Sequence, residues 1–279
     1  MDIFDQIQTA YFQLTAAERR VADYVLAAGD RVQFMSITQL AAECGSAEAT
    51  VSRFCRGLGL KGFNAFKIAI AKSSAAVGKA PAFQETSIAS QDGRRASVKR
   101  LAEEAISQTL EYSTQDMVMD AVKMLEKARR VSCFGSGGSM IMAEEFAHLF
   151  STVSPKFTAI SDSHRQMSAV ATMDERDVIV LFSYSGATTV GLQLLEAARN
   201  RGVKSILVTR FNESPAAKLV DVVLSCGSNE GPFQLGSIPA KIAQLIVTDL
   251  VFQEYCHRNQ EECVKNIQQI ASALSAYHL

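Results

Sequence analysis

From Arg130 onward the sequence alternates between short apolar runs and helical patterns. The runs are Arg130–Phe134, Lys156–Ile160, Asp177–Phe182, Ser205–Thr209 and Val220–Ser225. A run of five or six apolar residues suits a strand buried on both faces, and strand–helix alternation implies a parallel sheet covered on both sides. Helices are expected from the end of the first run through Phe150, near His164–Ala171, up to Arg201, over Ala240–His257 and over Glu262–Ala276. The expected fold of this part is α/β, a doubly wound parallel five-stranded α/β sandwich.

The first 72 residues read differently, as an all-α domain. Thr15-Ala-Ala-Glu18 and Ser36-Ile-Thr-Gln39 are capping boxes, in which a hydroxyl caps a free backbone N–H and the Glu or Gln reaches back. The second box opens a short helix that Cys44-Gly45-Ser46 breaks: Gly45 suits a left-handed C-cap, and Ser46 can cap the next helix. That helix is expected over Ala47–Leu58, ending at Gly59, with a further helix over Phe63–Ala71. Two short helices joined by a tight Gly-containing turn form a helix-turn-helix pattern.

At 100° per residue, Ala47, Val51, Phe54, Cys55 and Leu58 gather on one face of the second helix, and Ala49, Ser52, Arg53 and Arg56 on the opposite one. A small, polar, basic outer face can enter a major groove. An ordinary amphipathic helix with a solvated basic face has the same phase, so the surrounding charge matters. The 279 residues carry a net charge of −1, which by itself argues against nucleic acid. The total hides an asymmetry: nine basic and seven acidic residues over 1–80, but fifteen and twenty over 101–279. Ala49–Gln84 holds six basic residues and no acidic one. The candidate DNA-facing residues are Ser46, Ala49, Thr50, Ser52, Arg53, Arg56, Lys61 and Lys67.

The stretch from Ser46 to Lys67, SAEATVSRFCRGLGLKGFNAFK, resembles the signature S-x-A-T-V-x-R-F-x-R-x-L-G-x-x-G-F-x-x-F-K of RpiR/MurR-type bacterial transcription regulators. The upstream LTAAERRVADYVL is similar to that family's opening helix. The resemblance implies an operator-binding domain, with operator DNA as partner.

Residues 73–96 lack periodicity and are rich in Ser, Ala and Gly, which reads as a mobile linker. Helices are expected over Val98–Thr114 and Gln115–Ala128. The expected domains are therefore 1–75 for DNA, a linker over 76–97, and 98–279 for the α/β part.

Two loops at strand ends carry the remaining chemistry. Gly135, Ser136, Gly137, Gly138 and Ser139 follow the first run and open a helix. Glycines let the backbone approach an anion, and the helix N-terminus supplies N–H groups. A dinucleotide site would need a third Gly where Met140 stands. Ser183, Tyr184, Ser185, Gly186, Ala187 and Thr188 follow the third run. One hydroxyl there would read as a helix cap. Three, beside a second glycine loop, read as a phosphate cradle at the carboxyl ends of parallel strands.

The two loops resemble the G-x-G-x-S and S-x-S-G-x-T elements of the SIS (sugar isomerase) phosphosugar-binding domain, a likeness that spans Arg129–Ala276. It implies that Ser183, Ser185 and Thr188 hold a phosphate, with Ser139 and backbone groups around Gly135–Gly138 and Tyr184 completing the cradle. Helix-turn-helix followed by SIS is the RpiR/MurR domain order. It implies a regulator of sugar metabolism that senses a phosphorylated sugar and pairs as a homodimer or homotetramer. The alternative is a phosphosugar isomerase with a helical assembly domain, for which Glu144, Glu145, His164 and Glu230 are the candidate bases. The non-enzyme reading is preferred, with no cofactor and no metal. None of the six cysteines sits in a CxxC pair, so they are expected to be reduced thiols in a cytoplasmic protein. Without a secretory n-region or an apolar run near 18 residues, neither secretion nor membrane insertion is expected.

Overall fold

The computed structural model describes residues 2–76, 91–228 and 237–275. The chain forms two compact units, one built on Met1–Leu101 and one on Ala102–Ser228 with Ile238–Leu279.

The first unit is helical: α1 (Ile3–Ala10), α2 (Ala16–Ala28), α3 (Ile37–Glu43), α4 (Glu48–Gly57) and α5 (Phe63–Ala76). Both capping boxes form. Thr15 caps α2 and Ser36 caps α3, each with the reciprocal side chain returning to the cap N–H. The Thr15 hydroxyl and N–H hold the Glu18 carboxyl below its ordinary range. The apolar faces of all five helices meet in one core that includes Ile7, Val21, Val25, Leu40, Val51, Phe54, Phe66 and Ile70, with Phe54 and Phe66 edge to face at 5.7 Å.

The second unit contains α7 (Gln115–Lys127), β1 (Arg130–Phe134), α8 (Gly138–Ser151), β2 (Phe157–Ala159), α9 (Ser163–Val170), β3 (Asp177–Phe182), α10 (Thr189–Asn200), β4 (Lys204–Thr209), β5 (Val222–Ser225), α11 (Ile238–Arg258) and α12 (Gln260–Leu274). The sheet is five-stranded and parallel in the order β2-β1-β3-β4-β5. Alternate side chains feed two cores, as the period of two requires. Val131, Cys133, Val178, Val180, Phe182, Ile206 and Val208 pack with α7, α8 and α11. Phe134, Ile179, Leu181 and Leu207 pack with α9 and α10. The sheet is thus covered on both faces, the expected doubly wound arrangement.

At the amino ends of β1 and β3 the buried carboxylate of Asp177 receives Arg129 Nη2 at 2.8 Å and Arg130 Nη2 at 3.1 Å. Burial acts to raise its pKa, but the guanidinium hydrogen bonds win and the net shift is downward. All six cysteines are free thiols, and burial pushes Cys55 up to about 12. Among the described residues no helix is long and apolar enough to cross a membrane.

Some expectations need correction. The helix α6 runs Gln91–Tyr112, so residues 91–97 of the expected linker are helical. Most residues over 91–101 are exposed and none is buried, and a helix with no buried stripe leaves no periodicity to read. The described part of α5 extends to Ala76, past the expected end at Ala71. Ser46 does not cap α4. Ala47 is the N-cap, without a side-chain bond and exposed, and the Ser46 hydroxyl donates to Ala17 O at 3.3 Å.

Candidate functional site

The helix-turn-helix is α3 and α4. At the end of α3 the backbone turns left-handed at Gly45, φ +57°. The Ser46 N–H then donates to Ala41 O at 2.8 Å and the Gly45 N–H to Ala42 O at 3.1 Å, closing a Schellman turn. Arg20 of α2 donates to Gly45 O at 3.2 Å and ties the turn to the bundle. Gly59, φ +78°, ends α4 the same way, with Leu60 N–H on Cys55 O. Glycine at these positions has no Cβ to strain the left-handed backbone.

Val51, Phe54 and Cys55 point into the core, while Ala49, Arg53 and Arg56 are exposed and Ser46 and Ser52 half-buried. Lys61 is exposed beyond the end of α4, and Lys67 on α5 is half-buried with its ammonium 6.0 Å from the Phe63 ring. Thr50 departs from the expected set. It is only 7% exposed, one residue before Val51 on the buried side, and its hydroxyl lies 3.4 Å from Arg53 Nη2. Its place is under Arg53, where it can aim the guanidinium but present no surface of its own.

In the second unit both loops lie at the carboxyl ends of adjacent strands. Phe134 of β1 is in register with Leu181 of β3, so Gly135 and Ser183 leave the sheet side by side. From β1 the chain goes outward to β2, then returns to β3 on the other side. The two loops therefore flank the switch point where open parallel sheets bind ligands.

Each loop is fixed from below. A Cβ on Gly135 would meet Ser139 backbone atoms at 2.7 Å, so only glycine permits this turn into α8. The Gly135 carbonyl accepts Gln166 Nε2 at 3.1 Å, and the same amide reaches Ile160 O at 2.7 Å. Gly186, φ +58°, packs against Ser214, whose side chain occupies the place of a Cβ. The Tyr184 carbonyl accepts Thr209 Oγ1 and Arg210 N–H, both at 3.1 Å, and the Gly186 carbonyl accepts Ala216 N–H at 2.9 Å.

What the loops offer upward is polar. The Ser183 hydroxyl is buried, 5% exposed, and has no hydrogen-bond partner among the described residues. Ser185 and Ser139 are half-buried, while Ser136, Gly137 and Thr188 are exposed. The N-caps of α8 and α10 are Gly137 and Thr188, and neither closes its helix with a side-chain bond, unlike Thr114 on α7 or Asp162 on α9. At α8 the Ser139 and Met140 N–H groups already donate to the Ser136 and Gly137 carbonyls, at 3.2 and 3.1 Å, so the first turn of α10 is the one that presents uncapped N–H groups to an anion, with the positive helix end behind them. The loops thus place a buried hydroxyl, further hydroxyls and two helix N-termini around one switch point.

The candidate bases of the isomerase alternative are scattered. Glu144 and Glu145 are exposed on α8, and His164 is exposed on α9. Glu230 lies outside the described residues. Sequence reasoning missed Gln166. Its only signal was phase: it falls four residues before the buried Val170, on the inward side of α9.

Comparison with known proteins agrees with both halves. Residues 1–77 match the helix-turn-helix domain of the rpiR family, and residues 124–253 match the SIS domain. A helix-turn-helix-type transcriptional regulator of Caldanaerobacter subterraneus subsp. tengcongensis is 30% identical over 277 residues, 98% of this chain and 97% of the relative. YbbH of Bacillus subtilis, of the same type, is 28% identical over 278 residues, 98% of this chain and 97% of its own. Among solved structures, the Vibrio vulnificus NanR protein complexed with ManNAc-6P superimposes with a TM-score of 0.89 at 23% identity, covering 99% of each chain. The sugar isomerase domain of an RpiR transcription factor from Sphaerobacter thermophilus gives 0.59 at 21% identity, over 64% of this chain and 98% of that one. At these identities the structural likeness establishes the fold.

Fold and sequence together define a transcriptional regulator in which a helix-turn-helix domain precedes a SIS domain. The helix-turn-helix match extends over the whole first unit's helical bundle up to α5. The chain belongs to the rpiR family of helix-turn-helix transcriptional regulators.

Proposed function

We propose that this regulator binds operator DNA through α4 and senses a phosphorylated sugar at the switch point of its SIS domain. The observation that carries the effector reading is the Ser183 hydroxyl, buried without a partner among the described residues where two glycine-shaped loops meet. A buried hydroxyl without a partner is costly, and a phosphate oxygen would satisfy it. Ser185, Thr188, Ser139 and the N–H groups opening α10 would take the remaining oxygens. ManNAc-6P, the ligand of the NanR structure, supports a phosphosugar as the chemical class.

On the DNA side, Arg53 and Arg56 would contact guanine edges or phosphates, with Ser46, Ala49 and Ser52 close to the groove and Lys61 and Lys67 on the backbone. The protein would act as a homodimer or homotetramer in the bacterial cytoplasm. Two half-sites one helical turn apart, about 34–36 Å, match a two-fold protein. A line of exposed apolar residues on α12, Val264, Ile267, Ile270 and Leu274, supports self-association.

The test is a thermal-shift screen of the full-length protein against sugar phosphates, ManNAc-6P included, with the unphosphorylated sugars as controls. The expected result is stabilisation by phosphorylated members only. Equal shifts with unphosphorylated sugars would overturn the phosphate reading. A coupled isomerase assay on the same panel decides the enzymatic alternative: turnover without DNA binding would favour it.

A further inference from the structure

Ser228, just after β5, is the non-glycine residue with positive φ among the described residues, at 85°. Left-handed backbone is unfavourable for serine, so the conformation persists only while neighbours hold it. The holders come from two directions. The Ser228 carbonyl accepts Tyr184 Oη and Arg210 Nε, each at 3.0 Å. The Ser228 N–H donates to Gln108 Oε1 of α6 at 3.1 Å, and the adjacent Gly227 N–H donates to Thr109 Oγ1 at 2.9 Å.

The approach to α6 is as close as backbone allows. A Cβ on Gly227 would lie 2.5 Å from Gln108 Cβ and 2.7 Å from Thr109 N. The Arg210 guanidinium also covers the Tyr112 ring of α6 at 5.0 Å. Tyr184 is the second residue of the hydroxyl loop, so the loop and α6 are joined through the strained Ser228, with Arg210 beside it bonded to the Tyr184 carbonyl and lying over Tyr112.

We infer that Ser228 is a positioning residue that couples the Ser183–Thr188 loop to α6, with Gln108 as its receiver. The inference rests on the effector reading proposed above, because it gives the coupling its purpose. A phosphate that draws the loop inward moves Tyr184, and the Ser228 carbonyl follows or keeps only Arg210 of its two donors. Either outcome changes what the Ser228 N–H offers Gln108. Because α6 is continuous from Gln91 to Tyr112, a change at its carboxyl end reaches the residues that precede the α/β unit. The coupling operates only through unequal effector affinity for the two arrangements.

Hydrogen exchange on the full-length protein tests this in two arms. The first needs no effector. Tyr184→Phe should speed exchange of the amides over 109–112 by about fivefold, the loss of one net hydrogen bond, while β1 and β3 amides stay unchanged. Ser185→Ala, on the same loop but without a bond to Ser228, should leave 109–112 as in the wild type. Wild-type exchange over 109–112 in Tyr184→Phe would overturn the coupling.

The second arm adds ManNAc-6P. Protection should appear at 183–188 in the wild type, Gln108→Ala and Gln108→Glu alike. Protection at 105–112 should appear in the wild type and in Gln108→Glu, whose carboxylate still accepts the Ser228 N–H, and be absent in Gln108→Ala. Persistence in Gln108→Ala would overturn the assignment of Gln108. If ManNAc-6P and the rest of the sugar-phosphate panel leave 183–188 unprotected in the wild type, the effector reading fails, and the first arm still decides the coupling.

Discussion

Gly135 and Ser139 stand so close that a methyl group on the first would lie 2.7 Å from the carbonyl carbon and oxygen of the second. The contact is with backbone, which cannot swing aside as a side-chain tip can. Gly135→Ala should therefore open the β1–α8 turn and cost about 1–3 kcal/mol, the usual range for overpacking. Urea denaturation monitored by circular dichroism checks the stability, and effector-induced thermal shift should fall with it. Unchanged values for both would mean the turn is looser than the contact implies.

The hydroxyl loop gives a cleaner functional test. At an effector concentration of about 100 Kd, a single site stabilises the fold by about 2.7 kcal/mol. Ser183→Ala combined with Ser185→Ala should abolish that shift while leaving operator binding intact in a gel-retardation assay. The effector-free double variant should be close to the wild type in stability, because the Ser183 hydroxyl has no partner among the described residues and Ser185 loses only the exposed bond it accepts from the Ala187 N–H at 3.3 Å. A retained effector response would place the phosphate elsewhere.

Operator binding should depend on Arg53 and Arg56 in distinguishable ways. An arginine reading a guanine edge contributes about 1–3 kcal/mol and relaxes specificity at one base pair when removed. One contacting phosphate weakens all sequences alike and lowers the salt slope by about 0.9 per contact. Fluorescence anisotropy of Arg53→Ala and Arg56→Ala over a salt series separates the two. Thr50→Val should weaken binding less than either, since the buried Thr50 acts only through Arg53.

Asp177 should govern acid stability. Its folded pKa lies below the ordinary value, so its stabilising effect is complete above about pH 4, the unfolded carboxyl range, and is lost as pH falls through the lower folded value. Asp177→Asn removes the charge that receives Arg129 and Arg130 and should cost about 2–3 kcal/mol at neutral pH. The difference between variant and wild type should shrink in acid, which a denaturation series from pH 7 to pH 3 measures.

Much of this could be read along the chain. The limits of β1 and β3 coincide with the runs Arg130–Phe134 and Asp177–Phe182, because each apolar stretch opens on a charged residue and closes on the glycine or serine that starts a loop. The capping boxes at Thr15 and Ser36 are local chemistry, complete within four residues, and both form. The start of α6 was not legible, since an exposed helix has no apolar stripe. The burial of Thr50 was not legible for a related reason: threonine at the edge of the buried arc is small enough to be covered, and only its neighbours decide that it is.

The sequence by itself determined the elements, their alternation, the glycine-shaped turns and the hydroxyls at strand ends, because propensity, capping and periodicity act over a few residues. Tertiary structure decided which strand ends became neighbours, and hence that Gly135 and Ser183 share one switch point. It also decided that the Ser183 hydroxyl is buried without a partner among the described residues, that Gln166 supports the glycine loop, and that Ser228 is held left-handed between Tyr184 and Gln108. Each of these depends on residues distant in the chain. Strand order and side-chain burial arise when the sheet packs as a whole, and no local pattern specifies which distant carbonyl or hydroxyl a given amide will meet.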